Sequence, residues 1–454
     1  MLRPLIRTVG TYSLALLLIL AASTPPVWAQ RFDRKAYDEL VDAGSPDTIA
    51  PGTRITLQNW TNYKRFMPIW LQMAFSGKMH FHVADTPDYV IEVAPTGNYQ
   101  MPKPMIQDTE KYAGQTQLVP DKTTGGWTWQ GYKAGLPFPN PTDPNRAVKI
   151  MYNTWAGFYQ PFLIHEFSHN WETDSYGNVT AEDTDDSFYR LMGLSDPPYP
   201  MDLPDADAKI FVNRFMELIP EQAKYTTSLQ VVSKDPAKLT EEYVFLPSLR
   251  RSLRLSSASR CTPILGTDYL ADDSDWKPAF FAPQYYGEKK LLEPFADTKT
   301  AYTEASQKGY VGGDYNPGAA FPGFPKPGYN HWELRSVYLI NLVPLPSLGR
   351  GYCYSQRIFY VDAQTWFYGN VENYDSNGKL YHTQLTILGP IRYRGEQAVM
   401  PRSFAFSIAM DWQNNHASPD VGYGHEDRWR GPRCLSGGRQ LHARRTGAYH
   451  EVMA

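Results

Sequence analysis

Residues 163 to 174 constrain this chain most, because apolar or aromatic side chains alternate there with polar ones. Odd positions read Leu163, His165, Phe167, His169 and Trp171. After Ile164, even positions read Glu166, Ser168, Asn170, Glu172 and Asp174. Period-two alternation marks a half-buried strand. Asp174-Ser175-Tyr176-Gly177-Asn178 then supplies a turn and Val179-Thr180 restarts extended chain, which completes a hairpin pattern. A helix also fits, with Pro161 in its first turn, Leu163, Phe167 and Trp171 stacked, and Gly177 as the stop.

The choice matters because the stretch contains His165-Glu166-Phe167-Ser168-His169, a HExxH string. On a helix the two imidazoles share one face about 6 Å apart. They would grip one zinc with Glu166 as general base, the arrangement of a metallopeptidase. On a strand, four residues span about 13 Å, too far for one ion. The third ligand is not evident. The extended metzincin pattern needs Gly at 172 and His at 175, where this chain has Glu172 and Ser175. Glu182, Asp183, Asp185 and Asp186 are acidic alternatives, none singled out. His80 and His82 are a second candidate metal pair, two apart on a strand-like segment.

Elsewhere strand patterns dominate. Met79–Val83, Tyr89–Val93, Tyr243–Pro247, Leu249–Leu255, Trp332–Ile340 and Gln356–Asp362 are rich in β-branched and aromatic residues. Asn377-Gly378 signals a hairpin. Helices are expected at Asp33–Val41, within Asn62–Phe75, and at Asn145–Trp155. Ile210, Phe211, Phe215 and Leu218 keep helical spacing within Ala206–Leu218. Leu136–Pro141 and Leu194–Pro204 are Pro-rich loops. Successive meander strands predict a curved antiparallel sheet or open barrel.

The N-terminus carries Arg3 and Arg7, an apolar run from Leu14 to Ala22, and Val27-Trp28-Ala29 before Gln30, the pattern of a secretory signal. No later stretch approaches about 18 consecutive apolar residues. The expected organisation is a signal over 1–29, one domain over 30–420, and a disordered or atypical tail over 421–454, rich in Gly and Arg. The formal net charge of −3 gives no global field for nucleic acid. Three cysteines are too few for a disulfide framework. Cys261 and Cys353 read either as a bridge or as two unpaired thiols.

Several strings together resemble one family. They are Ile49-Ala50-Pro51-Gly52-Thr53, Asn59-Trp60 and Tyr63–Pro68; Thr109–Tyr112, Ala134–Pro139 and Lys149–Asn153; and Tyr329, Trp332–Arg335 and Tyr354–Asp362. Over roughly residues 45 to 416 the chain resembles the exported family called domain of unknown function 1329, similar to outer-membrane lipoprotein-sorting proteins of the LolA/LolB type. The resemblance implies a mainly β (α+β) periplasmic half-barrel: a large curved antiparallel sheet, a few helices across its concave face, and an apolar cavity for acyl chains. It also implies a strand after Asn153, and it carries over no catalytic residue.

The residues are compatible with that expectation. Aromatics make up 14% of the chain, with 31 tyrosines, and strands rich in them supply rigid apolar walls with polar tips. Tyr243, Phe245, Trp332, Tyr338, Phe359, Tyr360 and Trp366 are the candidate cavity residues. Arg250, Arg251 and Arg254 would meet an anionic headgroup, a partner or solvent. The expected function is a non-enzymatic, cofactor-free periplasmic carrier or envelope-assembly factor for a lipid or other hydrophobe, with an envelope transporter or outer-membrane protein as a further partner. The alternatives are the zinc metallopeptidase and a structural adaptor of an envelope transporter.

Overall fold

The computed structural model describes residues 31–42, 48–77, 90–157, 163–173, 176, 178–255, 260–264, 266–274, 276–295, 331–349, 351–388, 391–393, 396–398 and 404–423. His80 and His82, residues 1–29 and the Gly/Arg-rich stretch from 424 onward lie outside them.

Five α-helices are found among the described residues: α1 (Arg34–Asp42), α2 (Ile69–Phe75), α3 (Lys103–Tyr112), α4 (Arg146–Gly157) and the short α5 (Ala271–Ser274). None is long and apolar enough to cross a membrane. Two short strands, β1 (Arg54–Ile55) and β2 (Ile91–Ala94), precede a small hairpin of β3 (Gln117–Pro120) and β4 (Trp127–Gln130). A meander follows: β5 (Leu163–Thr173), β6 (Val179–Arg190), β7 (Lys209–Ile219), β8 (Thr227–Ser233), β9 (Glu241–Leu246) and β10 (Arg251–Arg254). A second meander comprises β11 (Phe281–Phe295), β12 (His331–Pro344), β13 (Gln356–Asp362), β14 (Tyr368–Tyr374) and β15 (Leu380–Leu388). After the small β16 (Ile391–Tyr393) and β17 (Glu396–Ala398) ribbon come β18 (Phe404–Asp411) and β19 (His416–Tyr423).

The two meanders are one sheet. Its order is β1-β2-β12-β13-β14-β15-β18-β19-β5-β6-β7-β8-β9-β10, with β11 along β12 and touching β15 at Phe295–Leu388. Its two ends do not meet, so the sheet is open, and its pairings are antiparallel apart from β2–β12 and β11–β15. The join is β19 against β5, where Asp420 pairs with Asn170 and Tyr423 with Phe167. The ordered sheet therefore runs past the expected boundary at 420.

β13 and β14 are buried on both faces, and the polar residues among their apolar ones, such as Arg357, Asn370, Glu372 and Asn373, are themselves buried. Successive residues on a strand point to opposite faces. Ile358 and Tyr360 accordingly join a core with Tyr37 of α1 and Trp70 and Leu71 of α2. Phe359 and Val361 join a second core with Ile150, Met151 and Trp155 of α4. The mainly β architecture with a large open antiparallel sheet and few helices is the expected one, with α1 and α2 packed on one side of β13 and α4 on the other. Asn153 on α4 clamps the Pro-rich loop, accepting from Phe138 N at 2.9 Å and donating to Phe138 O at 2.6 Å.

The helical spacing at Ala206–Leu218 is overturned. The segment holds β7, paired with β6 and β8. A register shift between Lys209 and Phe211 leaves Ile210 out of the β8 ladder. Ile210 and Phe211 then join the same core while Val212 enters another. The extra residue of such a bulge breaks the period of two and imitates a helix.

Candidate functional site

The HExxH string lies in β5, with His165 opposite Ser187 and His169 opposite Asp183 on β6. Four residues of strand rise about 13 Å, so the zinc-peptidase arrangement of His165, His169 and Glu166 is corrected: the string is part of a hairpin.

That hairpin forms the floor of a cavity. The register aligns Thr386, Ser407, Asp420, Asn170 and Glu182 in one row across β15, β18, β19, β5 and β6. The next row holds Ser168, Thr184 and Glu217 on β5, β6 and β7. Asp186, Phe188 and Phe215 continue the same face. A cover formed by Ile264, Thr267, Tyr269, Leu270 and Asp273 lies over it, with Phe367 and Tyr368 at one side. The cavity beneath it has a volume of about 160 Å³ and is partly open to solvent.

The cover is tied down covalently and by polar contacts. A Cys261–Cys353 disulfide anchors its start and resolves the alternative left open by the sequence. Tyr269 OH meets Ser407 Oγ at 2.7 Å. Asp268 N donates to Ser418 Oγ at 2.7 Å, and Asp268 Oδ2 lies 2.7 Å from His416 Nδ1. Asp273 accepts from Tyr354 OH at 2.9 Å and from Arg357 at 3.2 Å.

Among the described residues, five carboxyl groups line the cavity and no Lys, Arg or His does. Asp273 pairs with Arg357. The other four have no ion pair within the cavity among the described residues. Burial pushes Asp186 up to about 7, against hydrogen bonds from Thr184 and Ser168. Burial, with neighbouring Glu182 and Asp186, pushes Glu217 up to about 8. Burial and the nearby Asp186 raise Asp420 to about 8, and burial raises Glu182. Just beyond, burial lifts Glu172 to about 8 although Ser418 donates to it at 2.5 Å. Arg214 pairs directly with Asp185 at 2.6 Å, which alternates to the opposite side of β6 from Asp186, and the Arg214 charge pulls Asp186 down against the larger effect of burial.

Among the described residues two groups have metal-ligand proximity, Glu172–Asp268–His416 and Asp268–His382–Asp411, with ligand atoms within 4.8 Å of one another. Hydrogen bonds already engage them: Asp268 with His416 and Ser418, His382 with Tyr354 and Asp411. They act as a polar seam between the cover and β19.

None of the seven aromatic candidates from the sequence is among the residues lining this cavity. Trp332 and Tyr360 are in the α1/α2 core. Tyr338, Phe359 and Trp366 are in or against the α4 core, with Tyr338 and Trp366 rings 6.1 Å apart. Tyr243 and Phe245 are on β9 near the sheet's end, Phe245 being 38% exposed. Arg251 and Arg254 lie on the exposed β10, and Arg254 pairs with Glu241 at 3.4 Å. The sequence reading missed the carboxylates because they are unremarkable until the register joins them. The even positions 182, 184 and 186 of β6 were the available signal: polar residues on one face of a strand.

The family described as protein of unknown function DUF1329 matches residues 54–427. None of the curated proteins matches this chain. Among solved structures, the chain is similar to a putative outer membrane lipoprotein-sorting protein domain from Vibrio parahaemolyticus, with 11% identity, 61% of this chain and 90% of that one covered, and a TM-score of 0.43. A DUF1329 family protein from Desulfovibrio piger gives 11% identity, 62% and 92% coverage and a TM-score of 0.43. A LolA superfamily protein from Nitrosomonas europaea gives 11% identity, 61% and 90% coverage and a TM-score of 0.36.

Proposed function

We propose that this chain, which belongs to the DUF1329 family of proteins of unknown function, is an exported, non-enzymatic binding protein that holds a hydrophobic or lipid-like molecule in the cavity between β5–β7, β18–β19 and the 264–273 cover. The cavity itself carries the reading: about 160 Å³ under the cover, with Phe188, Phe215, Ile264, Leu270, Phe367 and Tyr368 among its walls. An apolar wall with a few convergent polar groups is the lining of small-molecule sites. Export is supported by the signal-like N-terminus and by the Cys261–Cys353 disulfide, which suits an oxidising compartment such as the periplasm. A carrier role, with an envelope transporter or outer-membrane protein receiving the cargo, follows from this reading as its next step.

The test is fluorescence titration of delipidated protein with 1-N-phenylnaphthylamine, a dye that brightens in apolar cavities. Saturable binding is expected, weakened at least tenfold by Thr184→Phe, which fills the floor. Titration curves that never saturate, or that Thr184→Phe leaves unchanged, refute this cavity as the site.

A further inference from the structure

We infer that the cavity selects a protonated amine: its ligand is an amphiphile whose apolar body packs against the phenylalanines and whose ammonium group sits against Glu217 and Asp186. This rests on the binding reading above and names the ligand class for it.

Unsatisfied charge is the first argument. Glu217 is 1% exposed, and neither of its carboxyl oxygens has a hydrogen-bond partner. Asp186 is 4% exposed; Thr184 Oγ1 donates to Oδ2 at 2.9 Å, while Oδ1 has no partner. Oδ1 of Asp420 is likewise unpartnered. Glu217 has no donor among the described residues, whereas Asp186 is met by Thr184 and Ser168 and Asp420 by Ser168 and Ser407, each keeping one oxygen unmet; buried acceptors left unmet are costly. Packing gives no reason to collect three of them around one space. A bound group that donates several hydrogen bonds and carries positive charge supplies what all three lack.

The spacing then selects the kind of cation. Asp420 and Glu182 both pair with Asn170 from opposite sides, so two strand spacings, about 9.6 Å, separate their backbones. Glu182 and Asp186 are four residues apart on β6, about 13 Å along it. A bare metal ion needs its oxygens at about 2.0–2.6 Å. Among the described residues the metal-like groups form around Asp268, and none contains Glu217, Asp186 or Asp420. Asp186 and Glu217 are diagonal neighbours on β6 and β7, within reach of one ammonium group, while Glu182 and Asp420 lie too far off to complete a single-ion cage. The apolar wall provides the other half of the match: Phe188 and Phe215 meet at 5.4 Å, edge to face, directly beside Asp186 and Glu217 on the same strands. Aromatic faces beside carboxylates attract ammonium groups. An aminolipid headgroup and a long-chain or polyamine ligand share this chemistry.

The test uses delipidated mature protein and five probes, the amphiphiles below their aggregation limits: dodecylamine, dodecanol, dodecanoate, spermidine and calcium. Dodecylamine is expected to bind at least tenfold tighter than dodecanol, with dodecanoate weakest. Glu217→Gln and Asp186→Asn should each remove most of that preference while keeping dodecanol affinity and an unchanged circular-dichroism spectrum. Equal affinity for amine and alcohol overturns the amine inference and leaves the hydrophobe reading standing. So does an amine preference that both variants retain. Spermidine binding as tightly as dodecylamine upholds the ammonium site and overturns the hydrophobe reading. No binding by any probe overturns both. Calcium that binds alone and displaces dodecylamine overturns the organic-cation assignment in favour of a metal.

Discussion

His416 and Asp268 join β19 to the cavity cover through one contact, Nδ1 to Oδ2 at 2.7 Å. Glu172 lies 4.0 Å from the same imidazole nitrogen, so one ring faces two carboxylates. The hydrogen bond with Asp268 raises His416 above the usual histidine range, opposed by partial burial and helped by the charges of Asp268, Glu172 and Asp411. Replacing His416 with Asn leaves these carboxyl groups without their cation. A loss of about 1–3 kcal/mol is expected, with faster release of the phenylnaphthylamine dye as the cover loosens. Chemical denaturation and stopped-flow release measure the two effects.

The cavity carboxyls set a pH dependence opposite to ordinary acid denaturation. Asp186 is raised to about 7, and Glu217, Asp420 and Glu172 to about 8, each chiefly by burial. Their folded values lie above the unfolded values of about 4. Between those limits the unfolded chain binds fewer protons than the folded one, so stability falls as pH rises. It is full below about pH 4 from these groups and is lost as pH climbs through 7 to 8. Melting temperature should therefore decline from pH 5 to 8.5 in ligand-free protein. Glu217→Gln should flatten that slope, and a slope unchanged by the substitution would show that Glu217 does not carry the shift.

Much of the fold is legible in the chain because local and global preferences agree. The alternation of Leu163–Trp171 and the Asn377-Gly378 turn each gave the observed strands. Ile358-Phe359-Tyr360-Val361 reads as a strand, yet its division between two cores depends on α1, α2 and α4 arriving from distant sequence. β7 misled because a bulge at Ile210 breaks its period. The site was hidden for a different reason. Asp186, Glu217 and Asp420 are separated by 31 and 203 residues, and only the β19–β5–β6–β7 register brings them to one face. Aromatic content pointed instead to residues such as Tyr360 and Trp332, whose burial the core fully explains.

The Cys261–Cys353 disulfide closes a loop across 92 positions and fixes the start of the cover against the segment that enters β13. Crosslinks of this kind contribute about 2–4 kcal/mol, chiefly by restricting the unfolded chain. The Cys261→Ser and Cys353→Ser double variant should lose stability of that size in urea. Because the link also anchors the cavity's roof, dye affinity should drop along with it. Stability lost with dye affinity intact would separate the crosslink from the cavity.

Glu372 holds the α1/α2 face of the sheet through four donors. Its carboxylate accepts from Trp70 N at 2.8 Å, Tyr360 OH at 2.9 Å, Tyr374 OH at 3.0 Å and Tyr37 OH. The Trp70 contact satisfies an N–H in the first turn of α2, where no intrahelical acceptor exists. Burial raises the Glu372 carboxyl while these donors pull it down. Glu372→Ala removes the shared acceptor of three buried hydroxyls, which keep only Tyr37–Tyr374 and Ile69 N–Tyr360 contacts, and leaves the helix N–H unmet, so a loss of about 3 kcal/mol is expected. Tyr360→Phe removes one donor and leaves the carboxylate three others, which should cost about 1 kcal/mol. Glu372→Gln tests the charge: its amide keeps one acceptor oxygen, so it should fall between the two. Urea midpoints of the three variants give the order, and a Glu372→Ala loss no larger than that of Tyr360→Phe would mean that the network does not hold α2 in place.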